Sequence, residues 1–290
     1  MSDPQLRAAV AGSPITHSRS PLLHSTAYAL LEAPIEYGRV EADAADAPAL
    51  ARRLRAEPGW LGLSATMPLK AALLSEMDEV TPTARLLGAM NTVVVSRASG
   101  AVRLTGHNTD VEGIVLSLRA AGGLDPARAA LVLGGGGTAA AALAALAQLG
   151  FDSATVAVRS PQRAAGLAGL GEALGLDVDV TSLTSVTRLA PPGAVVSALP
   201  PRAADASASD VAHLAAPGVP LLDVAYDPWP SALAARWQAA GGRAVHGLAM
   251  LVYQAVAQIE LFTGDARARE DFVVGALCDA ADITPAGSPR

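Results

Sequence analysis

Short apolar runs alternate with stretches of helical periodicity along the N-terminal part of the chain. The apolar runs predict strands over residues 7–12, 35–40 and 61–66, and a hairpin from 91–96 and 102–105. The periodic stretches predict helices over 20–31, up to about 56, and over 69–77. This alternation is typical of an α/β domain with a mixed sheet.

Strand and helix patterns then repeat more regularly. After a helix over 111–121, we predict strands over 129–133, 154–158, 194–198 and 220–225, with helices up to 149 and from 161 onward. Such repetition is typical of a doubly wound parallel sheet. Two helical patterns close the chain from residue 247.

The predicted fold class is therefore α/β, with two domains and a cleft between them. An N-terminal mixed-sheet domain comprises residues 1–109 with 247–290. A Rossmann-type parallel-sheet domain comprises residues 110–246.

Composition narrows the class of protein. The hydrophobic fraction is 51% and the net charge −6, which argue against a disordered chain and against binding to nucleic acid. No apolar stretch is long enough for a membrane span. Residues 1–5 lack a signal pattern, and Cys278 is a single cysteine, so we expect a cytoplasmic protein. The five histidines lack metal-ligand spacing, so we expect no metal.

Lys70 is the single lysine among 21 basic residues, the others being arginine. A composition rich in arginine, alanine and glycine is typical of a bias toward GC-rich codons, under which surface lysines are replaced by arginine at little cost. Chance survival of one lysine is the alternative. Lysine should persist where a titratable amine or a slim stem is needed, because a guanidinium stays charged and is wider. The two asparagines, Asn91 and Asn108, are each followed by threonine.

A glycine-rich loop follows the strand predicted over 129–133. It matches G-x-G-x-x-G/A through Gly134, Gly135, Gly136, Gly137, Thr138 and Ala139. Glycines permit a tight turn and close approach of the backbone to a pyrophosphate, and the helix N-terminus favours the phosphates. The position after a strand and before a helix predicts a dinucleotide site rather than an ordinary loop.

The end of the next strand favours NADP over NAD. NAD enzymes place an acidic side chain there, but this chain has Arg159, Ser160 and Arg163 after Val158. Two guanidinium groups and a hydroxyl suit a 2′-phosphate. Ordinary surface arginines at a helix start are the alternative.

Five separated segments resemble motifs of the shikimate dehydrogenase family, in the expected order. They are Gly12–Pro21 (GSPITHSRSP), Ser64–Lys70 (SATMPLK), Gly88–Thr92 (GAMNT), His107–Asp110 (HNTD) and Gly247–Ala255 (GLAMLVYQA). The resemblance implies reversible, NADPH-dependent reduction of 3-dehydroshikimate to shikimate in chorismate and aromatic amino-acid biosynthesis, with the substrate on the N-terminal domain.

The resemblance also assigns residues. It implies that Lys70 and Asp110 are catalytic and that Gly247 contacts the cofactor. It places around the substrate Ser18, Ser20, Thr66, Asn91, Tyr226 and Gln254. The residue types agree, because a lysine amine can cycle a proton and buried hydroxyls need polar partners. Whether Lys70, Asp110 or both carry the proton stays open.

Three positions depart from the family pattern. Ser64 replaces an asparagine, which puts a hydrogen bond to a ring hydroxyl in doubt. Val158 replaces another asparagine, and Ser197–Pro200 departs from N-A-T near the nicotinamide.

Two alternatives remain. One is a quinate/shikimate or aminoshikimate-type dehydrogenase, and the other a non-catalytic NADP-binding sensor on the same fold. We expect a small-molecule substrate, no nucleic-acid or membrane partner, and a monomer or homodimer.

Overall fold

A computed structural model describes residues 4–98 and 100–290. The first three residues, part of the segment that lacks a signal pattern, lie outside the described residues. Contacts divide the chain into two compact units. The first unit runs to Thr109 and includes Gln254–Ala281, and the second comprises Asp110–Tyr253 with Asp282–Arg290.

The first unit is built on a six-stranded sheet. Its strands are β1 (Leu6–Gly12), β2 (Ile35–Glu41), β3 (Trp60–Ala65), β4 (Glu79–Val80), β5 (Thr92–Ser96) and β6 (Arg103–His107). Its first helices are α1 (Ser20–Leu30), α2 (Ala47–Ala56), α3 (Leu69–Ala72) and α4 (Pro82–Leu87). The strand order is β2-β1-β3-β5-β6-β4.

Strand directions in this sheet are mixed, as predicted. β1 runs parallel to β2 and β3, whereas β5 is antiparallel to β3 and β6. Leu63, Val93 and Leu104 are fully buried on these strands and form part of the core. The register pairs Thr92 with His107, which brings the start of β5 next to the end of β6.

The second unit has a six-stranded parallel sheet. It comprises α5 (Asp110–Ala121), β7 (Ala130–Leu133), α6 (Gly137–Gln148), β8 (Ser153–Val158), α7 (Gly166–Leu174), β9 (Asp177–Ser182), β10 (Val195–Ser197), α8 (Ala208–Ala212), β11 (Pro220–Asp223), α9 (Ala232–Ala239) and β12 (Arg243–His246). The order β12-β11-β10-β7-β8-β9 is that of a doubly wound Rossmann sheet, which confirms the predicted fold class.

Two helices close the chain, as predicted: α10 (Gly247–Thr263) and α11 (Asp271–Ala280). By contacts, residues 247–253 and Asp282–Arg290 group with the second unit, whereas the sequence prediction places them in the first. The packing explains this grouping. The amide of His246 donates to the carbonyl of Gly287 at 2.9 Å, and the Gly287 backbone lies close to Val245 and Ala249.

Some elements differ from the sequence prediction. The segment predicted as one helix over 69–77 forms the shorter helix α3, which ends at Ala72, and a separate 3₁₀ turn over Leu74–Glu76. Two edge strands of the second unit, β9 and β12, are absent from the prediction. β9 carries alternating aspartates, and β12 has only two apolar residues, which lie between Arg243 and His246. Within residues 4–98 and 100–290, no helix is long and apolar enough to cross a membrane.

Candidate active site

Two loops of the first unit meet beyond the end of β1. The amide of Ser13 donates to the carbonyl of Met67 at 3.0 Å, and the amide of Thr66 donates to the carbonyl of Ala11 at 2.9 Å. A Cβ added to Gly12 would lie 2.3 Å from Thr66 Cγ2. Glycine is therefore required here for the segment before α1 to approach the segment that carries Thr66 and Lys70.

Ser18 and Ser20 lie at the start of α1. Ser18 Oγ accepts a hydrogen bond from the amide of Ser20 at 3.3 Å. Two side chains of β2 hold this loop: Arg39 Nη2 donates to the carbonyl of Ser18 at 2.8 Å, and Glu41 Oε2 accepts from the amide of Ile15 at 3.1 Å. The serine hydroxyls thus lie beside the N-terminus of a helix, where anions are stabilised.

Thr66, Lys70 and Asn91 are neighbours through their backbones. The carbonyl of Lys70 accepts from the amide of Met90 at 2.9 Å, and the amide of Ala65 donates to the carbonyl of Asn91 at 2.7 Å. Lys70 is half-buried in α3. Of the predicted substrate residues, the structure thus brings Thr66 and Asn91 close to Lys70.

Asn91 and Gln254 are also in contact, and both are buried. Asn91 Nδ2 donates to Gln254 Oε1 at 3.2 Å and to Thr109 Oγ1 at 2.9 Å. Asn91 Oδ1 accepts from the backbone amide of Thr109 at 2.7 Å. One polar cluster is therefore formed by Asn91, Thr109 and Gln254, which belong to three distant sequence motifs.

Asp110 and Tyr226 belong to the second unit. Asp110 is buried at the first position of α5, and Tyr226 is half-buried in the segment after β11. The catalytic roles of Lys70 and Asp110 and the place of Tyr226 beside the substrate stay predictions.

Sequence reasoning missed a layer of polar side chains behind this cluster. Ser64 Oγ accepts from Tyr37 at 2.7 Å and donates to Gln258 Oε1 at 2.7 Å. His24 stacks on Tyr37 with ring centroids 3.9 Å apart. Gln258 lies one turn after Gln254 on α10, and that spacing is the signal that could have indicated it.

Burial keeps this layer neutral. It lowers the pKa of His24 to about 3, whereas the hydrogen bond to Gln258 acts in the opposite direction and is the smaller effect. Burial also raises the pKa of Tyr28 and of Tyr37 well above the usual range. The substrate-side cluster is therefore supported by uncharged groups.

The glycine loop of the second unit connects β7 to α6. Gly134 has φ +104°, which favours glycine, and an added Cβ would lie 3.1 Å from the carbonyl oxygen of Ala198. Gly136 is the N-cap of α6, and the space where its Cβ would lie is open. Ala139 is fully buried, so the helix packs closely on the sheet. The loop has the features of a phosphate cradle.

Arg159 and Arg163 are exposed after the end of β8. Neither has a carboxylate partner among the residues that the structure describes. Val158 is buried, and its Cγ1 would lie 3.2 Å from a Cβ at Gly135, so it packs beneath the glycine loop. A metal site is not indicated in the described part of the chain, where no suitable cluster of three or more His, Cys, Asp or Glu occurs.

A hydrogen bond between Asp223 and Ser231 connects the start of the segment that carries Tyr226 to its end. Asp223 Oδ2 accepts from Ser231 Oγ at 2.6 Å, and Ser231 in turn caps α9 by accepting from the amide of Ala234 at 3.0 Å. Burial raises the pKa of Asp223, partly offset by the hydrogen bond from Ser231.

Family models match both ends of the chain. A model for the shikimate dehydrogenase substrate binding domain matches residues 10–93, and one for the shikimate 5'-dehydrogenase C-terminal domain matches residues 247–277. The shikimate dehydrogenase of Mycobacterium tuberculosis is 40% identical, with a TM-score of 0.83 over 94% of this chain and 99% of that one. The chain belongs to the shikimate dehydrogenase family. The predicted family and enzyme class, an oxidoreductase, are thereby confirmed.

Two further solved structures that resemble this chain contain bound ligands. The Thermus thermophilus enzyme in complex with NADP(H) and shikimate is 32% identical, with a TM-score of 0.76 over 95% of this chain and 99% of that chain. A Corynebacterium glutamicum quinate dehydrogenase in complex with NAD is 26% identical, with a TM-score of 0.81 over 96% and 98% of the two chains.

A curated relative is much longer. The pentafunctional AROM polypeptide of Yarrowia lipolytica is 35% identical over 267 residues, which is 88% of this chain. The chain spans 16% of that polypeptide's length.

The neutral state of His24 predicts a pH dependence of stability. In the folded protein its pKa is about 3 against an ordinary value of 6.5, so only the unfolded chain takes up a proton as the pH falls below about 6.5. His24 should therefore contribute a loss of about 1.4 kcal/mol in the free energy of unfolding for each pH unit between about 6.5 and about 3. Urea unfolding of wild type and His24→Gln at about pH 7 and about pH 5 checks this.

The His24→Gln variant should lose about 2 kcal/mol less than wild type between those two pH values. The matched control is His213→Gln at an exposed position, which should keep the wild-type slope. If the free energy of unfolding fell equally with pH in wild type and in His24→Gln, the neutral state of buried His24 would be contradicted.

Proposed function

We propose that the chain catalyses the reversible reduction of 3-dehydroshikimate to shikimate with NADPH, in chorismate and aromatic amino-acid biosynthesis. The observation that carries this proposal is the buried contact between Asn91 and Gln254 in the unit that also holds Thr66 and Lys70. A ring that bears several hydroxyl groups needs such amides, since a buried hydroxyl without a partner is costly. Family membership supports the same substrate class.

Lys70 is the proposed proton donor to the substrate carbonyl oxygen. Reduction of a ketone requires a hydride at the carbon, which NADPH supplies when bound, and a proton at the oxygen. The Lys70 ammonium gives up that proton, and in the oxidative direction its amine takes the proton back. We propose that Asp110 orients the amine or shares the proton, and that Tyr226 contributes to the substrate side.

Ser18 and Ser20 are proposed to hold the substrate carboxylate. Their hydroxyls lie at the start of α1, and Arg39 adds a positive charge bonded to the Ser18 carbonyl. Hydrogen bonds to a carboxylate are stronger than neutral ones, so this end should anchor the ring.

The glycine loop from Gly134 to Ala139, together with Gly247, is proposed to bind the cofactor. The loop fits the cofactor phosphates, because the N-cap residue Gly136 leaves open space at the N-terminus of α6 and provides no side-chain hydrogen bond to the helix amides. Arg159, Ser160 and Arg163 are proposed to bind the 2′-phosphate that distinguishes NADP from NAD.

This role of Arg159 predicts a change in cofactor preference. Arg159→Ser should raise KM for NADP about tenfold or more, because a charge-assisted hydrogen bond to phosphate is lost, and should leave KM for NAD unchanged. Initial rates with varied cofactor measure both constants. Arg188→Ser, at another exposed site of the same unit, is the control; equal losses with NADP and NAD would rule out phosphate recognition.

We propose that the protein acts in the cytoplasm as a monomer or homodimer, without nucleic-acid or membrane partners. The lone Cys278 is buried and forms no disulfide, which suits a reducing compartment.

A second candidate function is quinate dehydrogenation with NAD, favoured by the similarity to the quinate dehydrogenase. The decisive assay offers purified protein shikimate or quinate, each with NADP or NAD. We expect the highest kcat/KM with shikimate and NADP. Faster oxidation of quinate with NAD would overturn the proposal, and NADPH binding without turnover of either polyol would favour a sensor.

The proposed role of Lys70 predicts the effect of a conservative exchange. Lys70→Arg should fold and bind NADPH but lose turnover by about 10²-fold or more, because a guanidinium stays charged and cannot cycle a proton. Stopped-flow or steady-state rates at saturating substrate measure the loss. Arg236→Lys, the reverse exchange at an exposed position, should be silent; near-wild-type turnover in Lys70→Arg would remove Lys70 from the mechanism.

A further inference from the structure

We propose that Gln258 is a positioning residue that orients the side-chain amide of Asn91. Through Asn91 it fixes the oxygen of Gln254 as an acceptor, so that the amide nitrogen of Gln254 is the end that donates to the substrate. This proposal rests on the proposed function. It adds a residue that touches no substrate but sets the polarity of one that does.

Two backbone groups fix the polarity of the whole network. The amide of Thr109 can only donate, so the Asn91 atom 2.7 Å away is the oxygen Oδ1. The carbonyl of Asn91 can only accept, so the Gln258 atom 3.1 Å away is the nitrogen Nε2. Both side-chain amides therefore have one orientation consistent with their surroundings.

Gln258 is 1% exposed, and its amide is fully used. Nε2 donates to the Asn91 carbonyl at 3.1 Å and to Thr92 Oγ1 at 2.9 Å. Oε1 accepts from Ser64 Oγ at 2.7 Å and lies 3.3 Å from His24 Nε2. Two donors and two acceptor positions are the full capacity of this side chain. Rotating the amide by half a turn would place its oxygen against the Asn91 carbonyl oxygen, so that two acceptors would face each other.

The inner side of the network is consistent with this orientation. Because Gln258 Oε1 accepts, the His24 proton is on Nε2, and His24 Nδ1 accepts from Tyr28 at 3.1 Å. Ser64 gives its one proton to Gln258 and accepts from Tyr37. The hydroxyl proton of Ser64 is therefore committed to the network and is not available to a substrate hydroxyl.

The outer side carries the orientation to Gln254. Thr92 accepts from Gln258, so its own proton goes to Asn91 Oδ1 at 2.9 Å. With Oδ1 committed to Thr92 and Thr109, Asn91 presents Nδ2 to Gln254 Oε1. The Gln254 oxygen thus faces Asn91, and its Nε2 group is the other end of the amide. A substrate partner of Gln254 is then an acceptor, such as a ring hydroxyl oxygen.

The experiment replaces Gln258 by glutamate, which has nearly the same shape. When protonated, the introduced carboxyl can still donate to the Asn91 carbonyl, but when ionised it can only accept, and burial raises its pKa. The titratable groups that face this position are His24 and Tyr37, both kept neutral by burial; its other neighbours, Ser64, Asn91 and Thr92, carry no charge.

We expect KM for shikimate in Gln258→Glu to rise about tenfold more than in wild type between about pH 6 and about pH 9, with KM for NADP unchanged. Calorimetric titration with shikimate measures the same change without turnover. Gln148→Glu, the same exchange at an exposed position at the end of α6, is the control and should follow wild type. Restored shikimate affinity at low pH is a result that loss of packing alone would not give.

Thr92→Val keeps the experiment decisive if Gln258→Glu does not fold. It removes the hydroxyl that links Gln258 to Asn91 while keeping the volume, and should raise KM for shikimate severalfold at every pH. An unchanged shikimate affinity in either variant, or equal losses toward shikimate and NADP, would overturn the positioning role alone. Wild-type protein that neither binds nor oxidises shikimate would overturn the proposed function and this inference with it.

Discussion

The hydrogen bond from the Thr109 amide to Asn91 Oδ1 is the interaction on which the substrate-side cluster depends. It forms because β5 and β6 are antiparallel and pair Thr92 with His107, so the residue before one strand lies beside the chain that leaves the other. Sheet register thus determines an amide orientation. The hydrogen bonds of Asn91, Thr92 and Gln258 have one arrangement of donors and acceptors that agrees with this orientation.

The supporting layer is neutral, although it contains a histidine and two tyrosines. A charged group in the same place would need a partner of opposite charge, and the desolvation cost of an ion pair often exceeds the attraction. Neutral donors and acceptors avoid this cost when each is satisfied, as Gln258 is.

Sequence was sufficient for the fold class and for the segments that carry the cluster. Glycine loops and strand–helix alternation follow from requirements of the backbone, so they can be recognised directly in the sequence. The close contacts at Gly12 and Gly134 explain why those positions need glycine. Lys70 was detectable because composition singled it out. His24 was not detectable, since a buried polar side chain on a helix looks in sequence like an exposed one. Gln258 left one signal, its position one turn after Gln254, but the sheet and α10 together decide that it is buried. Edge strand β9 was missed for a related reason, its polar alternation.

The closed arrangement around Ser64 also constrains how the chain can diverge. The Ser64 hydroxyl donates its one proton to Gln258 and accepts a hydrogen bond from Tyr37. An asparagine there would bring a second donor and greater volume into a site where Ser64 is only 5% exposed, which Gln258 and Tyr37 could accommodate only by changing themselves. Residues 37, 64 and 258, far apart in sequence, are therefore expected to change together across descendants of this chain, as a single inherited unit.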